Sequence, residues 1–249
     1  MAVQQGDVPV PGHDPSGEPD VLGVRQDGAV LTVEMRLTDG LLPLSGAARL
    51  AELLRRPPEG AHVLVLRSAG PSFCLGRERT AATAHELPGE VDTLVAVNDA
   101  LSRSRLVSVA VVEGDAAGFG VGLAALCDVA VAADSVRLWF PEVGIGLAPT
   151  LVLAWLARTV GRRQAFWLTA TGEPVDARRG VELDLLNEAV PAERLEDVVA
   201  ARVDALLSRS PRVHAEIRDM LRVAGTLNDQ QAHELARDRL VVGSLRRGG

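Results

Sequence analysis

The chain has 249 residues and a formal net charge of −7, and all 26 of its basic residues are arginines scattered along the sequence. Phosphate recognition on a nucleic acid needs a clustered basic face, so no such partner is expected. With 47% apolar but only 3% aromatic residues and no tyrosine, the core is expected to be aliphatic and closely packed, and the scarcity of rings argues against base stacking.

Residues 1–20 carry Pro9, Pro11, Pro15 and Pro19 among glycines and acids. Such a stretch buries too little apolar surface to offset its ordering entropy, and a disordered tail is expected. It has neither a basic start nor an apolar run, and no later stretch is apolar enough to span a bilayer. The expected setting is therefore cytoplasmic and reducing, away from membranes, with Cys74 and Cys127 as small buried hydrophobes. His13, His62, His85, His214 and His233 lack ligand spacing, and no metal site is expected.

Val21–Arg25 and Ala29–Arg36 are alternating runs split by Asp27-Gly28, a pair that tolerates positive φ and so marks a hairpin. Helical spacing covers Leu44–Arg55 and stops at Pro57-Pro58. His62–Arg67 reads as a short buried strand, residues 91–104 as a helix, Leu106–Glu113 as a second strand, Gly118–Leu126 as a helix of small residues and Asp128–Ala132 as a third strand. Strands buried on both faces and joined by helices require crossovers, which favours a parallel sheet. Beyond Pro149 the pattern is helical at 150–159, 162–170, 192–209, 211–224 and 229–245. An α/β core over 21–190 and a helical region over 191–249 follow from this order.

Two glycine-rich turns and one acid stand out. Ser68–Gly76 follows a strand, and Glu113–Gly122 leads from a strand into a helix of small residues. Main-chain N–H groups at such turns can serve a developing oxyanion, although the glycines could equally serve only tight packing. The glycines at 118, 120 and 122 miss the G-x-G-x-x-G spacing, since Leu123 takes the last place. In Trp139–Pro149 a lone acid, Glu142, sits among apolar residues, where desolvation would destabilise its charge and suit it to act as a base. A turn cap or an arginine partner is the plainer reading of that residue. Asp115 and Asp128 suit turn and strand-end roles.

Four segments in order resemble the enoyl-CoA hydratase/isomerase (crotonase) family. They are Val63–Gly70 with Phe73-Cys-Leu-Gly-Arg-Glu78, Glu113–Ala133, Val136–Pro149 and Leu168–Ala177. The resemblance implies an α/β spiral of ββα turns, with stacked sheets, flanking helices and a C-terminal helical trimerisation region, assembled as a homotrimer or hexamer. It implies an acyl-CoA or related thioester as ligand, with coenzyme A as part of the substrate and no other cofactor. Carried over position by position, the oxyanion amides fall on Leu75 and Phe119, and the acid/base on Glu142. The substrate and its CoA moiety would be bound by Cys74, Gly76, Arg77, Gly118 and Gly122, the CoA lying near the first loop with Arg77 and Glu78.

This sequence departs from the family pattern at several points. Gly122 stands where a hydratase of the family has its first glutamate, Phe119 where glycine is usual, Thr150-Leu-Val-Leu153 in place of a glycine-rich turn, and Leu42-Pro-Leu44 in place of Asn-Ala-Leu. A single carboxylate can shuttle a proton, whereas hydration must also hold and deprotonate a water. The expectation is enoyl-CoA double-bond isomerisation. The alternatives are hydration or another single-base reaction (decarboxylation, C–C bond formation), and a non-catalytic acyl-CoA-binding homologue.

Overall fold

A computed structural model describes Val8, Pro9 and residues 20–246 of the chain. The expected disordered tail lies outside the described residues, except that Val8–Pro9 (β1) pairs antiparallel with Leu22–Asp27 (β2). The hairpin expected at Asp27-Gly28 joins β2 to β3 (Val30–Met35), with Gly28 at φ +54°. β4 (Leu41–Leu42) then leads into α1 (Leu44–Arg55).

From there the chain winds in repeated turns. β5 (Val63–Ser68), β6 (Ser72–Cys74) and β7 (Gly76–Arg77) are followed by α2 (Leu87–Arg103). β8 (Val107–Val112) and β9 (Asp115–Ala117) are followed by α3 (Phe119–Leu126). β10 (Val129–Ala133) and β11 (Arg137–Trp139) come next, then a single 3-10 turn at Pro141–Ile145, α4 (Thr150–Thr159), α5 (Arg162–Thr171), β12 (Val175–Asp176), α6 (Ala177–Glu182) and β13 (Glu188–Val190).

Each of the three turns that begin at β5, β8 and β10 adds one strand to a large sheet and one to a small sheet. The large sheet has the order β1-β2-β3-β5-β8-β10-β13 and the small one β12-β11-β9-β6, while β4 and β7 form a separate pair. The large sheet is parallel from β3 onward. Its β8, Val-Ser-Val-Ala-Val-Val, is buried at every position, as a strand covered on both faces must be. α3 packs against β8 and β10 of the large sheet and β6 and β9 of the small one, so its first turn lies between the two. Asp128 accepts the Ser108 N–H at 2.7 Å and the Ser108 hydroxyl at 2.8 Å, tying the start of β10 to β8. Asp115 pairs with Arg137 at 2.9 Å. Both acids thus have structural partners.

Two compact units result, one ending at Leu207 and the other beginning at Ser208. The boundary expected after residue 190 therefore moves, because α7 (Leu195–Leu207) packs across β5, β8 and β10 with Leu195, Val199 and Val203 buried. Burying each such side chain contributes about 1.5–3 kcal/mol. The second unit contains α8 (Pro211–Ala224) and α9 (Asp229–Leu245). Asn228 opens α9 with a reciprocal capping box to Gln231, and Asp219 of α8 takes Arg222 and Arg239, which hold its carboxyl below the usual range.

Candidate active site

The site is built from three backbone segments that meet at the first turn of α3. Ser72–Glu78 forms a strap along one side. Gly118 precedes α3 with φ +51° and ψ −115°, a conformation open to glycine alone, and its N–H donates to the Trp139 carbonyl at 2.9 Å. A Cβ on Gly120 would sit 1.9 Å from the Cys74 carbonyl oxygen, so only glycine lets α3 approach the strap this closely. The third segment is the 3-10 turn, where Pro141 pre-sets the backbone and the buried Phe140 anchors the entry.

These segments bound a cavity of about 690 Å³, lined mainly by apolar groups and by Glu78, Arg77, Arg79, Gly118, Phe119 and Glu142. That volume suits a small-molecule ligand. Glu142 lies against Gly118: a Cβ there would meet its Oε1 at 2.6 Å. Its Oε2 is buried with no hydrogen-bond partner. Burial raises the Glu142 carboxyl above the ordinary glutamate value, against opposing contributions from its own backbone N–H and the Arg79 charge. A partly desolvated carboxylate with one oxygen unpartnered is suited to accept a proton from a group placed in the same cavity.

The first turn of α3 presents N–H groups with no intrahelical acceptor, and Phe119 supplies the first of them at the cavity wall. The expectation for Leu75 requires correction. Its N–H donates to the Gly40 carbonyl at 2.7 Å, which commits that amide to joining the strap to the β4 segment. The pairing of β4 with β7 sets Leu42 opposite Arg77, and the Glu78 N–H donates to the Leu42 carbonyl at 2.9 Å. Successive amides of a strand point to opposite sides. The Arg77 N–H is therefore turned away from β4, two residues beyond the expected position.

The remaining site residues divide. Gly76, Arg77 and Gly118 line the cavity. Cys74 does not: it lies wholly in the core, its thiol donates to the Gly76 carbonyl at 3.1 Å, and burial pushes it up to about 11. Gly122 does not line the cavity either, and a Cβ there would meet Trp155 Cζ2 at 3.7 Å and Val152 Cγ2 at 4.0 Å, ordinary contact distances. Trp155 of α4 thus stands against the position where a hydratase of the family has its first glutamate, and its own Nε1 is buried without a partner.

Two residues were missed. Glu90, 5% exposed, binds the Arg77 guanidinium and the segment after it. It continues the buried stripe Leu94, Val97 and Leu101 of α2, so an acid at helical spacing with apolar residues was its one sequence signal. Arg79 is the second, a cation at the cavity whose charge acts on Glu142.

A family model described as enoyl-CoA hydratase/isomerase matches residues 52–244. The chain belongs to the enoyl-CoA hydratase/isomerase family, that of the crotonase superfamily enzymes. The rat enoyl-CoA hydratase domain-containing protein 3, mitochondrial, is 31% identical over 206 residues, covering 79% of this chain and 69% of the relative. The probable enoyl-CoA hydratase of Rhodobacter capsulatus is 30% identical, covering 74% of this chain and 72% of the relative. Against the zebrafish and mouse counterparts of the rat protein, the match spans 50% and 47% of their lengths. Among solved structures, an enoyl-CoA hydratase/isomerase family protein from Silicibacter pomeroyi superposes with a TM-score of 0.85 at 28% identity, covering 90% of this chain and 98% of that one. A putative enoyl-CoA hydratase from Thermobifida fusca, solved with acetoacetyl-CoA, shares the fold with a TM-score of 0.81 at 22% identity, covering 91% of this chain and 95% of that one. Among the described residues no helix is long and apolar enough to cross a membrane.

Proposed function

We propose that this member of the family performs enolate chemistry on an acyl-CoA thioester, with double-bond isomerisation of an enoyl thioester as its reaction. The thioester carbonyl accepts the main-chain N–H groups of Phe119 and Arg77. Glu142 removes a proton next to the carbonyl or at the vinylogous position and returns it to the other carbon of the delocalised enolate. The charge that appears on oxygen is met by donors already in place, and one such donor is typically worth about 3–4 kcal/mol of barrier.

The observation that carries this reading is the buried, unpartnered Oε2 of Glu142 in a cavity that α3 opens with its first amides. Isomerisation is favoured over hydration because Gly122 brings no carboxylate at the place where a hydratase of the family has one to hold a water, and Trp155 stands within contact distance of that position. Glu78, the other acid at the cavity, is exposed at its rim. In deuterium oxide the protein should exchange label into a bound enoyl thioester and shift its double bond, and Glu142→Gln should abolish both. Exchange retained by the glutamine variant would place the base elsewhere. Binding without exchange by the wild type, across a panel of acyl-CoA thioesters, would favour the non-catalytic reading.

A further inference from the structure

We propose that Glu90 is a positioning residue that holds the Arg77 amide in place, an inference that rests on the oxyanion reading of that amide given above.

Between Gly76 and the start of α2 at Leu87 the chain has little structure of its own. After the Glu78 N–H, which reaches Leu42, residues 79–82 make no sheet or helix bonds. The Arg77 donor is the last paired residue of β7, held by the flanking Leu75 and Glu78 bonds, and motion of the segment that follows would reach it unless something else tied that segment down. Glu90 does so from the first turn of the rigid helix α2. Its Oε1 accepts the Thr80 N–H at 2.6 Å, the Thr80 hydroxyl at 2.9 Å and the Ala81 N–H, while its Oε2 takes the Arg77 guanidinium. Both oxygens of one buried carboxylate are thus spent on residues 77–81, immediately around the proposed donor. The next residue of the helix, Val91, and Leu94 line the same cavity, so Glu90 fixes the strap relative to the wall facing it.

Burial would raise this carboxyl, but the Ala81 and Thr80 amides, the Arg77 guanidinium and the Thr80 hydroxyl hold it down to about 2. The clamp therefore stays charged through any neutral or mildly acidic range. It also consumes the Arg77 side chain, so that this residue serves the site through its backbone while its guanidinium serves the clamp. A glutamine at 90 would keep the shape but lose the charge, and it would turn an NH2 donor toward Arg77 or the amides, which are themselves donors.

The test uses the full chain and acetoacetyl-CoA, a β-ketoacyl thioester whose enolate absorbs in the near ultraviolet, with free CoA as the carbonyl-free control. The wild type should bind acetoacetyl-CoA with an increased enolate fraction. Glu90→Gln should lower the bound enolate-to-keto ratio by about tenfold, a fraction of the roughly hundredfold that a 1 Å misplacement costs, while CoA affinity stays within about threefold, no more than the worth of one weak hydrogen bond. An unchanged ratio, or a ratio and a CoA affinity that fall together, would overturn the positioning role while leaving the oxyanion reading intact. If the wild type itself fails to enrich the enolate, the oxyanion reading fails first. Should Glu90→Gln not fold, Thr80→Val removes the hydroxyl bond alone. It should lower the ratio by about threefold, in line with the loss of one hydrogen bond, and no change there would equally overturn the proposal.

Discussion

Replacing Gly118 by alanine perturbs the backbone and the base together, and the structure separates the two effects. The residue holds φ +51° and ψ −115°, where a Cβ brings strain of about 1–3 kcal/mol. For a chain of this size each kcal/mol lowers Tm by about 2–4 °C. The new methyl would also stand 2.6 Å from Glu142 Oε1, which must retreat by about 0.8 Å to reach the 3.4 Å at which ordinary contact begins. Misplacing a reacting group by 1 Å costs about a hundredfold in rate, so exchange of solvent deuterium into an enoyl thioester should fall by tens of fold. Gly28→Ala is the control: it too has positive φ, at +54°, but nothing lies within 4 Å of its Cβ and it is far from the cavity. It should lower Tm and leave exchange within about twofold, since surface changes seldom reach 0.5 kcal/mol at a distant site. Thermal melts and mass-spectrometric deuterium uptake on the three proteins give both numbers. Wild-type exchange in Gly118→Ala, at any Tm, would refute the contact between position 118 and the base.

Glu142 should also show in pH dependence and stability. Its folded pKa is raised, so its contribution to stability is full below the unfolded value and declines as pH rises through the folded one. At neutral pH the ionised, desolvated carboxylate therefore costs stability, and Glu142→Gln should melt higher than wild type at pH 7 while losing exchange. A lower Tm would contradict the unpartnered Oε2. The acid limb of the exchange rate should lie above an ordinary glutamate titration, and Arg79→Met should move it further up in pH, because the Arg79 charge opposes the shift. Gly122→Glu should place a carboxylate against Trp155 and Val152, destabilise by about 1–3 kcal/mol and leave crotonyl-CoA unhydrated. Hydration assayed as loss of the conjugated absorbance would refute that account of the site. Exposed apolar residues of the second unit offer a test of the homotrimer or hexamer expected from the family: Ile217 and Leu221 on α8 are 51% and 73% exposed, and Leu240 and Leu245 on α9 are 72% and 75% exposed. Leu221→Glu should lower the assembly state in sedimentation, and no change there would remove α8 from the interface.

The elements legible in the sequence were those whose burial pattern extends over a full period. α1 runs over Leu44–Arg55 as its apolar spacing required, and β5, β8 and β10 lie within a residue or two of their valine-rich runs. The small sheet was hidden because β6, β9, β11 and β12 are two or three residues long, too short for any alternation to register. α2 begins at Leu87 rather than 91 because an acid, Glu90, heads its buried stripe, and an isolated charge in an apolar pattern reads as the pattern's end. α7 was assigned to the helical end because the pattern beyond Pro149 reads as helical, yet Leu195, Val199 and Val203 of α7 are buried and the helix packs against the sheet.

The site itself was legible to the level of segments and failed at the level of a single amide. Glu142, an acid among apolar neighbours, and Phe119, which the family resemblance placed, both line the cavity, the latter as the first residue of a helix after a glycine. Which amide of the Cys74–Glu78 strap faces the cavity depends on the parity of a two-residue strand, and that parity is set by a partner far away in sequence. Leu75 reaches Gly40 and Glu78 reaches Leu42, so the strap spends four residues where the partner spends three, the irregularity falling at Gly76 with φ +134°. A regular strand counted from Leu75 would turn the Arg77 amide toward β4. The extra residue reverses it, and its position could be known only once β4 and β7 were seen side by side.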